Sequence, residues 1–135
     1  ARMGDERLVA AFEAGQMPES GFHHCDHVRV AWWYLRRDGL YEALPRFSQA
    51  LKRFALAQSK PDLYHETITT AYVLLINERL DGDRSMTWNE FARRHADLLT
   101  WRPSVLDRYY LPDTLASERA RRTFVLPDRL HGSPG

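Results

Sequence analysis

The stretch LYEALPRFSQALKRF, Leu40 to Phe54, carries the clearest structural signal in the chain. Its large apolar residues are separated alternately by four and three positions: Leu40, Leu44, Phe47, Leu51 and Phe54. Because an α-helix completes a turn every 3.6 residues, this spacing places them on one side of a helix. The stretch therefore predicts an amphipathic helix, the third of the chain. Pro45 is expected to mark its first turn and so to shorten the helix.

The segments on either side also predict helices. The preceding sequence predicts a short first helix ended by Gly15 and a second helix over 21–37, with Ser20 as its N-cap. The following sequence predicts a fourth helix over 61–80, with Ser59 as its N-cap. Three consecutive helices joined by short loops pack up-down-up, so we expect the second to the fourth helix to form the centre of a bundle.

The second half of the chain continues the helical pattern. Thr87 and Glu90 form a capping-box pattern that opens a fifth helix through position 99. Two shorter helical segments separated by Pro112 follow, and about 126–135 are expected to form an extended tail. No alternating apolar-polar run predicts a strand. The sequence therefore predicts an all-α fold, a single domain over 1–135 with six or seven helices.

Composition and charge restrict the class of protein. The 135 residues are 44% hydrophobic and 27% charged, as in an ordinary soluble domain. The net charge of +1 does not favour a nucleic-acid partner. No apolar run approaches the roughly 18 residues that a membrane span needs, and a single cysteine fits a reducing compartment. We therefore predict a cytoplasmic protein without nucleic-acid or membrane partners, and the oligomeric state stays open.

The second predicted helix begins with groups that bind metals or transfer protons. The segment from Phe22 to His27, FHHCDH, contains three of the six histidines, the sole cysteine and Asp26. The fourth helix begins with YHET, which adds His65 and Glu66. Because the second and fourth helices of an up-down-up bundle start at the same end, we expect His24, His27 and His65 to meet there.

These histidines continue the apolar stripes of their helices. The stripe of the second helix contains His24, Val28, Ala31 and Leu35, and that of the fourth contains His65, Thr69, Tyr72 and Ile76. Polar groups at the ends of two apolar stripes are typical of a pocket between helices. The sequence therefore predicts a histidine-lined pocket at one end of the bundle. The alternative is a network of structural histidines bonded to one another.

Three imidazoles are a suitable ligand set for a divalent metal. A helix N-terminus disfavours imidazolium, and neutral imidazole is the form that binds metals. A Zn²⁺ ion held by His24, His27 and His65 would activate a bound water. Two histidines with a carboxylate from Asp26 or Glu66 would instead suit Fe(II). We therefore predict an enzyme acting on a small-molecule substrate, with hydrolase, lyase and oxygenase chemistry unresolved.

The same groups support two other functions. Without a metal, the histidines would act as general acid and base, with Asp26 or Glu66 as a second catalytic group that fixes a tautomer. A non-catalytic ligand-binding or interaction protein would use the histidines as a structural network.

Two further features have a functional and a structural interpretation. Cys25 lies near a helix start, where a thiolate is favoured, but it is about 100° around the helix from His24. We therefore predict a buried or half-buried cysteine without a catalytic role. Arg119, Arg121 and Arg122 offer a clamp for an anionic substrate, although such a run is usually a solvated helix face.

Three segments, FHHCDHVRVAWWYL, YHETIT and LASERARRTFVLPDR, follow one pattern: F-x-H-x-D-H-V-x-x-A-W, then Y-H-x-T-x-T, then S-x-x-A-R with F-x-x-P-D. In this pattern the chain resembles a small, largely uncharacterised bacterial all-helical family, over about 21–129. The matching positions are Phe22, His24, Asp26, His27, Val28, Ala31, Trp32, Tyr64, His65, Thr67, Thr69, Ser117, Ala120, Arg121, Phe124, Pro127 and Asp128. The resemblance implies a helical fold and no particular activity.

Overall fold

The computed structural model describes residues 4–129, and all regular secondary structure within them is helical, which confirms the all-α class. The α-helices are α1 (Asp5–Glu13), α2 (His24–Asp38), α3 (Leu40–Ala57), α4 (Glu66–Leu80), α5 (Trp88–Arg94), α6 (Pro112–Leu115) and α7 (Glu118–Arg122). Three 3₁₀ turns span Pro61–Leu63, Ala96–Leu99 and Val105–Arg108. Residues 126–129 have no regular structure, and the rest of the predicted tail lies outside the described residues.

The centre of the fold is formed by α2, α3 and α4, each of which packs against the other two. The apolar stripe of α3 supplies Phe47, Leu51 and Phe54 to the core. Phe12 of α1 is fully buried against the rings of Phe47 and Phe54, and α1 packs against both α2 and α3. The first turns of α2 and α4 and the last turns of α3 contribute residues to one cavity, and the up-down-up order stays a prediction.

The predicted start of the second helix is wrong by three residues. Helix α2 begins at His24, and His23 rather than Ser20 occupies its N-cap position. The backbone N–H of His23 donates to Asp26 Oδ2 at 2.9 Å. A carboxylate three residues into the helix therefore satisfies the backbone donor at the start of α2.

The predicted start of the fourth helix is also wrong. Pro61–Leu63 form a separate 3₁₀ turn, and α4 begins at Glu66. His65 caps this helix in place of Ser59, because its ring Nδ1 accepts the backbone N–H of Ile68. A histidine is an unusual N-cap, so the preference for serine at helix starts points to the wrong residue.

Two prolines lie at helix positions that differ from the predicted ones. Pro45 lies beyond the first turn of α3, which continues to Ala57 without being shortened. Pro112 is the first residue of α6 rather than a separator, as its fixed φ allows. The capping box of Thr87 and Glu90 is confirmed, although α5 ends at Arg94 and a 3₁₀ turn follows it.

Across residues 4–129, no helix has both the length and the apolar composition that crossing a membrane requires.

Candidate functional site

A cavity of about 440 Å³ lies between α2, α3 and α4, where the sequence predicts a pocket. Much of its wall is apolar, with contributions from Val28, Ala31, Leu51, Phe54, Ile68 and Ile76. Its volume falls in the range of about 300–1,000 Å³ that small-molecule sites occupy. The three predicted histidines all line this cavity, but they differ in the hydrogen bonds they make.

His24 is held in one orientation by the chain. Its Nε2 donates to the carbonyl of Leu98 at 2.9 Å, so Nε2 carries the proton and Nδ1 holds the lone pair of the neutral ring. The rings of Tyr72 and Trp101 lie against it, with centroids 4.8 Å and 4.9 Å away. Burial lowers the pKa of His24, and the bond to Leu98 offsets part of this effect. His24 is therefore neutral near pH 7.

His65 is buried and uses both ring nitrogens for structure. Nδ1 accepts the N–H of Ile68 at 3.1 Å, and Nε2 donates to the carbonyl of Leu115 at 2.8 Å. The first bond caps α4, and the second joins the start of α4 to the end of α6. A metal ion bound to His65 would have to displace one of these two hydrogen bonds.

His27 differs from the other two histidines of the cavity in the contacts that its ring makes. It is partly buried, and its ring meets that of Phe22 edge-on at 4.6 Å between centroids. Among residues 4–129 no hydrogen bond to its ring nitrogens is found. Burial, and to a smaller extent the neighbouring His24, lower the pKa of His27 to about 4. At neutral pH it presents an uncharged imidazole to the cavity.

The predicted catalytic carboxylates do not line the cavity. Asp26 accepts the backbone N–H of His23 at the start of α2. Glu66 Oε1 accepts the hydroxyl of Tyr64 at 2.5 Å at the start of α4. Both carboxylates therefore have local structural partners at helix starts.

No group of three histidine, cysteine, aspartate or glutamate side chains in the described part of the chain has an arrangement that could hold a metal ion. His24, His27 and His65 lie on one cavity, but their nitrogens are not gathered around a common point. Zn²⁺ or Fe(II) as a cofactor held by these three residues stays a prediction.

Among the lining residues that the sequence did not indicate are Asp62, Leu63 and Trp101. All three are exposed, so they form the rim of the cavity. Two lie in a 3₁₀ turn and Trp101 lies in a loop, where apolar periodicity gives no information about position. The one signal in the sequence was a tryptophan in a proline-containing loop.

The three arginines of α7 have different surroundings. Arg121 lines the cavity, and its Nη1 donates to the backbone carbonyls of Asp62 at 2.5 Å and Tyr64 at 3.4 Å. Arg119 and Arg122 are exposed and do not line the cavity. The interpretation as a solvated helix face therefore fits two of the three residues.

Cys25 is exposed, not buried or half-buried as predicted, and it does not line the cavity. Replacing Cys25 by Ala is expected to change the free energy of unfolding by less than about 0.5 kcal/mol, as for most surface substitutions. We also expect unchanged binding of an apolar probe such as octanol. Urea denaturation and calorimetric titration check the two expectations. Loss of binding in a folded Cys25→Ala protein would assign the thiol a part in the site.

The fold and the cavity together define an all-α helical bundle with a histidine-lined pocket between three helices. No protein-family model, curated protein or solved structure matches this chain. The function is therefore argued from the cavity and the residues that line it.

Proposed function

We propose that the protein is a small-molecule enzyme that binds a largely apolar substrate in this cavity and acts on it through the neutral imidazoles of His24 and His27. The observation that carries the proposal is the environment of His27. An imidazole without a hydrogen bond from residues 4–129 lines an apolar cavity of ligand size. A polar group placed there is satisfied when a bound molecule, or water, supplies the missing partner.

The two imidazoles suit different parts in acid–base chemistry. Burial lowers the pKa of His27 to about 4, which makes it a weak base and a good neutral hydrogen-bonding group for the substrate. For His24 the bond to Leu98 offsets part of the effect of burial on its pKa, and its Nδ1 keeps the lone pair that a general base needs. A general base within hydrogen-bonding reach of its proton contributes about 10²–10⁴-fold to a rate. Hydrolase, lyase and oxygenase reactions are all compatible with these groups.

Metal-dependent chemistry is the second candidate, favoured by the orientation of His24. Histidines that bind metals usually donate their other ring N–H to a carbonyl or carboxylate, as His24 does to Leu98. Its Nδ1 and a ring nitrogen of His27 would supply two ligands for Zn²⁺ or Fe(II). His65 would complete the set after giving up its bond to Ile68, with the metal activating water or oxygen.

Filling the cavity tests the binding step. Ala31 is buried on α2 and lines the cavity. Ala31→Phe is expected to lower octanol affinity by more than about tenfold, because the phenyl ring takes the volume in which an apolar ligand gains its burial energy. Isothermal titration calorimetry measures this, with the exposed Ala10→Phe substitution on α1 as a control of equal size change. Equal octanol affinity in a folded Ala31→Phe protein would exclude the cavity as the site.

The catalytic step is tested with the protein's own ligand. Native mass spectrometry of untagged protein identifies molecules and metals that wild type retains and Ala31→Phe loses. The retained molecule and its close analogues are then assayed for turnover by wild type and His24→Gln. Turnover that falls at least about 100-fold while binding is kept supports His24 as the base. Binding without turnover by wild type would identify a non-catalytic binding protein.

A further inference from the structure

We infer that the molecule bound in the cavity is a small apolar carboxylate, and that Arg121 binds its anionic group at the rim. This inference rests on the proposed function, because it concerns the substrate class of the same cavity. Arg121 is the one arginine or lysine side chain that lines the cavity within residues 4–129.

The guanidinium of Arg121 has no carboxylate partner within the described part of the chain. Its hydrogen bonds there are those from Nη1 to two backbone carbonyls, which fix the side chain without neutralising its charge. By contrast, Arg29 pairs with Asp5 at 2.5 Å and Arg79 pairs with Asp97 at 2.8 Å. Two other buried or partly buried arginines are therefore neutralised, whereas no ion pair of Arg121 is found among residues 4–129.

The remaining donors of Arg121 suit a carboxylate. A guanidinium presents a planar set of N–H groups that matches the two oxygens of a carboxylate. Nε and Nη2 of Arg121 make no hydrogen bond that the structure shows within residues 4–129. Asp62 also lines the rim, but it uses its backbone carbonyl toward Arg121, and its side chain is exposed. A ligand carboxylate would therefore supply the negative charge that pairs with Arg121, because the side chain of Asp62 forms no ion pair with it among the described residues.

The rest of the cavity selects an apolar body for this ligand. Away from the rim the wall includes the buried residues Ile76, Ala31 and Phe47. A charge placed among them would lose its hydration without gaining a partner, whereas an alkyl or aryl group gains by leaving water. The anionic end therefore lies at the rim beside Arg121, and the apolar end lies between the helices.

Octanoate and octanol are the matched probes, because they share an alkyl chain and differ in the charged group. Isothermal titration calorimetry with wild type is expected to show at least about tenfold tighter binding of octanoate, equivalent to about 1.4 kcal/mol. Arg121→Gln should lower the affinity for octanoate to about that for octanol, which removes this preference. Arg119→Gln, which makes the same charge change on the exposed side of α7, should keep it.

If Arg121→Gln does not fold, binding measurements on wild type still test the inference. Added salt should weaken octanoate binding relative to octanol binding, because salt screens the ion pair that octanol does not form. Arg121→Lys keeps the positive charge but loses the planar set of N–H groups, so it should retain part of the preference for octanoate. Octanol binding without a preference for octanoate would overturn the inference and leave the proposed function standing. Failure of wild type to bind either probe would overturn both.

Discussion

Replacing His65 by Ala is expected to lower the free energy of unfolding by about 2–4 kcal/mol. The substitution removes the acceptor that caps α4 at the N–H of Ile68, and loss of an N-cap costs about 1 kcal/mol. It also leaves the carbonyl of Leu115 without its donor, and a buried group left unpaired costs about 1–3 kcal/mol. Both losses fall on one side chain because His65 joins two segments that are 50 positions apart.

Urea denaturation of wild type and variants measures this effect. His65→Asn keeps an acceptor of the kind preferred at N-caps but is too short to replace the bond to Leu115, so we expect about half of the loss. His23→Ala is the control at a second N-cap position, because His23 is exposed and its ring bonds the nearby carbonyl of Ser20 rather than a distant segment. A His65→Ala protein as stable as wild type would show that the two hydrogen bonds contribute little.

The same variant separates a structural from a metal-binding role of His65. If Zn²⁺ or Fe(II) binds through His65, the metal raises the melting temperature of wild type by mass action, and His65→Ala abolishes the increase. If His65 is structural, the loss of stability is the same with added metal and with a chelator. Calorimetric metal titration beside the thermal melts gives both results from one set of samples.

The register of the central helices was predictable from the sequence because burial follows helical periodicity. The stripe of α3 enters the core, and the stripes of α2 and α4 bring His24 and His65 to one cavity. These features depend on the 3.6-residue repeat and on short connections between neighbouring helices. Periodicity therefore predicted which faces of these helices turn inward, whereas the chemistry of the site stays a prediction.

The hydrogen-bond partners of the histidines were not predictable in the same way. Leu98 and Leu115, whose carbonyls accept from His24 and His65, lie in or beside short helical turns without a periodic signal. Their positions depend on how the chain between α5 and α7 returns across α4. For the same reason, a cluster of metal-ligand residue types in the sequence did not reveal that one histidine has both nitrogens in use. Asp26 has the residue type of a catalytic group but pairs with the backbone at its own helix start.

Acidification is expected to destabilise the protein through His27. The pKa of its ring is about 4 in the folded chain and about 6.5 in the unfolded chain. Between these values the unfolded state binds more protons, so the free energy of unfolding falls as the pH falls from about 6.5 to 4. Above about 6.5 both states are neutral at this position, and the stability does not depend on it. The shift corresponds to about 3 kcal/mol, which we reduce to about 2 because His27 is partly exposed to solvent.

A comparison of wild type with His27→Leu isolates this contribution. The leucine keeps a side chain of similar size beside Phe22 and cannot bind a proton. Carboxylates and His24, whose lowered pKa acts in the same direction, titrate in both proteins, so the difference between their pH profiles reports His27 together with its coupling to His24. We expect urea denaturation at pH 7.5 and 4.5 to show a smaller loss of stability in the variant, by about 2 kcal/mol. Parallel pH profiles of the two proteins would mean that protonation of His27 does not destabilise the folded protein. In that case the imidazole of His27 would not stay uncharged in the cavity at mildly acidic pH.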